Sequence, residues 1–239
     1  MSNEATDPGK RKKFLLFLLL LVALPATLFF LRTGKHTFGS LPYLGEKEVN
    51  GPGDTTYFTV PPFRFVNENG RVITDRDLEG KILVVDFFFT RCTSICPKMT
   101  AHMQGLQLEL NDPDKRDAYE DVVLLSHTVD PEHDTPEVLR AYARRHEADT
   151  TRWIFLTGDA KAIYRQGNTG YLLTALEDSL DPEGFVHSER FVLVDKRRHI
   201  RGQYDGTSRA DVGRLTTDLK MLVAEERRRA REAKEGHGE

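Results

Sequence analysis

Apolar and polar positions fall into blocks whose period changes along the chain. Residues 1–13 are polar and end in Lys10-Arg11-Lys12-Lys13; Phe14 to Leu31 then run without a charge. Eighteen helical residues rise about 27 Å, close to the roughly 30 Å of a bilayer core, so 14–31 predicts one transmembrane anchor. The basic cluster ahead of it predicts a cytoplasmic N-terminus and a domain on the extracytoplasmic (periplasmic) side. The competing reading, a cleaved signal, usually has an apolar stretch of about 7–15 residues. Residues 32–60 carry glycine and proline at 34, 39, 42, 45, 51, 52 and 53, and read as a linker.

From residue 61 the pattern becomes that of a folded domain. Phe63-Arg64-Phe65-Val66, an Asn/Gly-rich turn and Val72-Ile73 predict a β-hairpin. Lys81 to Phe89 is an apolar run of buried-strand type. Pro97 suits the first turn of a helix reaching Leu110, with Met99, Met103, Leu106 and Leu110 on one stripe. Thioether sulfur binds soft metals, but that helical period makes core packing the better account of the methionines. Val122–Val129 and Trp153–Leu156 predict further strands. Between them Thr135 caps a helix that opens on Pro136 and ends near His146. A helix over about 160–166, an edge strand at Tyr171-Leu172-Leu173, a hairpin from Arg190–Val194 into Ile200–Tyr204, and a helix from Ser208 or Asp211 complete the order. Residues 223–239 read as a charged tail that frays from Glu225, with Arg227-Arg228-Arg229 a solvated helix face. Strands and helices alternating in this way predict an α/β fold with a central mixed β-sheet flanked by helices, over residues 61–222.

Composition narrows the function. The net charge of −3 gives no sign of a nucleic-acid-binding face. Two cysteines are too few to build a disulfide scaffold. Both lie in one stretch, Phe87-Phe88-Phe89-Thr90-Arg91-Cys92-Thr93-Ser94-Ile95-Cys96-Pro97, where a buried strand delivers two thiols to a helix N-terminus. The positive end of a helix favours thiolate. Two thiolates four residues apart can close into a redox-active disulfide, Cys92–Cys96, or hold a soft metal ion together. A strand–Cys–helix entry in an α/β frame is thioredoxin-like. Spacing alone leaves His187, just before a late strand, as a loop histidine. It also leaves Asp130 and Asp134 as turn or capping residues, with support of the thiols from outside the ligand set as the functional alternative.

Three stretches in order, FFFTRCTSICPKMT, VDPEHDTPEVLRAY with WIFLTG after it, and GFVHSERFVLVD, resemble the SCO/SenC family of membrane-anchored copper proteins, over roughly residues 60–220. Thr93-Ser94 stands where that family commonly has Pro-Asp. The resemblance implies a thioredoxin-like fold and a copper site made by Cys92, Cys96 and His187. It also implies a role in assembling the binuclear copper centre of cytochrome c oxidase, with the oxidase's copper-bearing subunit as partner. Cu(I) is soft and accepts two or three ligands; two sulfurs and one imidazole suit it and can also hold Cu(II). A structural zinc site would want a fourth protein ligand.

The expectation is thus a metallochaperone without catalytic residues, and a monomer. The alternative is a thiol–disulfide oxidoreductase that reduces the oxidase's copper-ligand cysteines. A third reading, a peroxidase, would use Thr90 and Arg91 to activate Cys92.

Overall fold

The computed structural model describes residues 12, 17, 21, 40–51, 53–173 and 188–235. The chain divides into two units, Met1–Phe38 and Gly39–Glu239. The expected anchor at 14–31 lies outside the described residues apart from Phe17 and Leu21, both helical. Among the described residues no helix is long and apolar enough to cross a membrane.

In the second unit the apolar run becomes β5 (Ile82–Phe88), buried at every position. It sits inside a seven-stranded sheet together with β3 (Arg64–Asn67), β4 (Val72–Thr74), β6 (Val122–Thr128), β7 (Trp153–Thr157), β8 (Arg190–Val194) and β9 (Ile200–Asp205). The order is β4-β3-β7-β6-β5-β8-β9. The β5–β6 and β6–β7 pairs are parallel and the other pairs antiparallel, which makes the sheet mixed. Parallel neighbours need crossovers, and helices supply them. These are α1 (Cys96–Leu110) and α2 (Pro136–Arg145), joined where the Thr100 and Tyr142 hydroxyls meet at 2.7 Å. The predicted stripe on α1 is core: Met99, Met103, Leu106 and Leu110 are all buried. Thr135 caps α2 by accepting from Val138 N–H. The final helix, here α4 (Arg209–Glu235), buries Leu215, Leu219 and Leu222. The opposite sheet face takes Phe87, His127, Phe63, Phe65 and Tyr171 as one aromatic cluster.

Three stretches depart from expectation. Within the supposed linker, β1 (Lys47–Gly51) and β2 (Asp54–Tyr57) form a hairpin, and Leu41 and Val60 are buried. Leu44 N–H donates to Ile200 O and Val60 N–H to Arg198 O, which fastens the segment to the β8–β9 turn. Gly45 is required there. Its φ is +95°, and a Cβ would fall 2.7 Å from Phe58 Cβ.

Tyr171–Leu173 is not an edge strand. The short helix α3 (Ala160–Arg165) runs into a wider turn, Gln166–Gly170, and Leu172 takes φ +55°, which no strand accommodates. Tyr171 is apolar-run material because it plugs the aromatic cluster, not because it pairs. Finally, α4 does not end at Glu225 but continues to Glu235. Glu225 is buried against Arg201 at 3.1 Å and also pairs with Arg229.

Candidate functional site

The loop that leaves β5 carries Cys92, and Cys96 opens α1. Ile95 occupies the cap position but gives no side-chain cap. Its place is taken by sulfur: Cys96 N–H donates to Cys92 Sγ at 3.4 Å. The first turn of a helix leaves N–H groups without intrahelical partners, and an anionic acceptor there is favoured. Ser94 Oγ lies 3.5 Å from the same sulfur. Burial works to raise the Cys92 pKa, but Ser94 Oγ, the Cys96 thiol and the loop N–H groups outweigh it and hold Cys92 below the ordinary thiol value. Cys96 is the opposite case. Burial, then donation to the Cys92 sulfur, push its thiol far up. Both thiols are buried and unbridged, and Cys92 is the more acidic of the two. This is a pair that can take up a soft cation between them or exchange with a disulfide.

Asp130 and Asp134 belong to the support of this loop. Asp134 is fully buried. Its Oδ2 accepts from Thr90 N–H at 3.0 Å and from Thr128 Oγ1 at 2.5 Å, while its Oδ1 accepts from Thr90 Oγ1 at 2.5 Å. Asp130 Oδ2 receives Arg91 through Nε at 3.1 Å and a terminal nitrogen at 2.5 Å. The two residues before Cys92 are thus clamped by the loop after β6. Donor atoms of Asp130, His133 and Asp134 lie within 4.8 Å of one another, but these carboxylates are already spoken for by that clamp. Thr90 and Arg91, the residues a peroxidase would use beside Cys92, are bound to Asp134 and Asp130.

His187 lies outside the described residues. Its neighbour Ser188 is buried, and its Oγ accepts from Arg190 N–H at 3.3 Å. β8 runs antiparallel to β5 with Leu83 opposite Val194 and Val85 opposite Val192. That register brings the start of β8 to the end of β5 from which the cysteine loop departs.

Asp86 is a residue that motif reading passes over. It is fully buried on β5, and its Oδ1 accepts from Ser126 Oγ at 2.5 Å, which in turn accepts from Trp153 Nε1 at 2.8 Å. Burial pushes its pKa up to about 7. The only sequence signal was a lone carboxylate inside an otherwise apolar strand.

The fold and the dithiol together define a thioredoxin-like domain with a C-x-x-x-C pair at a helix N-terminus. The SCO1/SenC family model matches residues 52–224, and the chain belongs to that family. A SCO1 protein homolog of Bacillus subtilis is 29% identical over 167 residues, covering 70% of this chain and 84% of that protein. The solved structure of BsSco, described as a member of the Sco family of cytochrome c oxidase assembly proteins with a disulfide switch, is 31% identical. It superposes with a TM-score of 0.59, covering 70% of this chain and 94% of that one. A protein of Stutzerimonas stutzeri named a putative copper-binding protein is 26% identical over 60% of this chain and 67% of its own.

Proposed function

We propose that this protein carries copper on Cys92 and Cys96, with His187 as third ligand, and delivers it in assembly of the cytochrome c oxidase copper centre. The observation that carries the reading is the hydrogen bond from Cys96 N–H to Cys92 Sγ, which seats two buried, unbridged thiols at one helix end. It is supported by family membership and by the names of the oxidase-assembly and copper-binding relatives. Copper is cargo here. Two sulfurs match its softness, and a ligand set of three leaves room for stepwise exchange to a partner's sulfur. Asp130 and Asp134 act by holding Thr90 and Arg91, and so the loop that carries Cys92. Residues 14–31 anchor the chain in the membrane with the domain outside the cytoplasm, as the charge-free run after a basic cluster supports.

The test is anaerobic Cu(I) titration of the reduced full chain in detergent. One equivalent should bind tightly, vanish in Cys92→Ser/Cys96→Ser and weaken in His187→Ala. If the wild type retains no copper yet turns over a disulfide substrate, the carrier reading fails. A thiol–disulfide oxidoreductase, which the acidic Cys92 also favours, then takes its place.

A further inference from the structure

The last turns of α4 carry a cationic groove that the copper reading does not use. Lys220, Arg227, Arg228 and Arg231 line a cleft of about 410 Å³ whose floor includes the buried Tyr119 and Val223, and no carboxylate lines it. Lys220 is drawn to Glu109 at 3.0 Å, and Arg227 donates to Asp117 O at 2.9 Å. Arg228 and Arg231 are exposed and have no ion-pair partner among the described residues. Two unpaired guanidinium groups one helical turn apart, above an apolar floor, suit an anionic surface that is itself amphiphilic.

We propose that this groove docks on anionic phospholipid headgroups. The commitment to lipid, resting on the anchor reading of residues 14–31, comes from where the chain enters the domain. Leu41 N–H donates to Glu225 Oε2, and the Tyr43 hydroxyl accepts from Arg229, in the same turns of α4 that carry Arg227, Arg228 and Arg231. Only residues 32–39 separate the end of the apolar run from Ser40. Fully extended, they span roughly 28 Å. An anchor at residues 14–31 would tether the domain within that reach of a bilayer, and acidic headgroups attract basic side chains that come within about a Debye length. The paired cysteines sit at the other end of β5 from the Lys196–Asp121 and Lys81–Asp121 pairs that neighbour this helix end. Docking by α4 thus leaves the dithiol turned toward partners.

The experiment compares the full chain on vesicles of phosphatidylcholine alone and with added phosphatidylglycerol, by flotation and by backbone hydrogen exchange of residues 223–235. On the anionic vesicles exchange should slow by at least about 3-fold, the effect should disappear at high salt, and Arg228→Glu/Arg231→Glu should abolish it. Arg228→Gln/Arg231→Gln should weaken it partially, with the fold checked by circular dichroism. Flotation with both vesicles but equal exchange on both overturns the proposal and leaves the anchor intact. Failure to float on phosphatidylcholine overturns the anchor reading. Charge-dependent protection on the anionic vesicles would then still support the groove, and its absence would overturn it. Protection that survives charge reversal, or that appears only with an acidic partner protein, overturns the lipid assignment.

Discussion

Asp86 and His127 stand one register step apart on neighbouring strands, and their ionisation pulls stability in opposite directions. Asp86 holds its proton up to about pH 7 when folded, against about 4 when unfolded. The folded state then binds more protons between these values, so stability falls as pH rises through that window. His127 is the reverse. It is fully buried, stacked on Phe87 at 4.9 Å, and neither ring nitrogen has a hydrogen-bond partner among the described residues. Burial lowers its pKa to about 3, against about 6.5 unfolded, so stability rises with pH between those values. From about pH 4 to 6.5 the two slopes cancel. Asp86→Asn should uncover the histidine's rise, up to about 3 kcal/mol across that window, and His127→Leu should uncover the carboxylate's fall. Urea unfolding at several pH values reads this directly. If both variants keep the wild-type pH profile, the opposition does not exist.

Among elements, the least expected coupling joins the N-terminal segment to α4. Arg201, fully buried, donates to Asp195 Oδ2 at 3.1 Å, to Glu225 at 3.1 Å, and to the carbonyls of Leu41 and Pro42. Its guanidinium also lies 4.2 Å from the Tyr43 ring centroid. Removing this cation takes the guanidinium from buried Asp195 and leaves buried Glu225 to Arg229 as its remaining cation. Arg201→Met should cost roughly 3–5 kcal/mol and expose residues 40–60 to protease before the rest of the domain. Equal resistance of that segment in variant and wild type would show that Arg201 does not pin it.

The same coupling explains what the sequence did not reveal. Strands β5 and β6 were legible as continuous apolar runs and the α1 stripe as a helical period, because each is buried as that pattern requires. In β1, Lys47 to Asn50 are all exposed, so no apolar rhythm marks the strand. Glu225 looked like tail because its partners, Leu41 and Arg201, lie far away in sequence. At the site the cysteines announced themselves by chemistry. The clamp did not, because Thr90 and Asp134 are 44 residues apart and neither residue type is unusual in a loop.

For the whole molecule, copper and folding should be linked. A ligand that binds only the folded state adds stability in proportion to the logarithm of its excess over Kd, about 2.7 kcal/mol at a hundredfold excess. Reduced protein loaded with Cu(I) should therefore melt several degrees higher than metal-free protein, and Cys92→Ser/Cys96→Ser should show no rise. A matching rise in the double variant would place the copper elsewhere.

The position of β5 has a consequence for how the chain is made. One flank of this strand is closed by β6, whose residues follow soon after. The other is closed by β8, about a hundred residues later. Synthesis runs from N- to C-terminus, so throughout that interval a seven-residue apolar strand presents one row of unsatisfied backbone groups. Chains truncated before residue 190 should self-associate through that open edge, while chains carried past residue 205 should not. The segment that delivers the thiols is therefore also the one that makes an unfinished copy hazardous, and its protection arrives about a hundred residues after it is made.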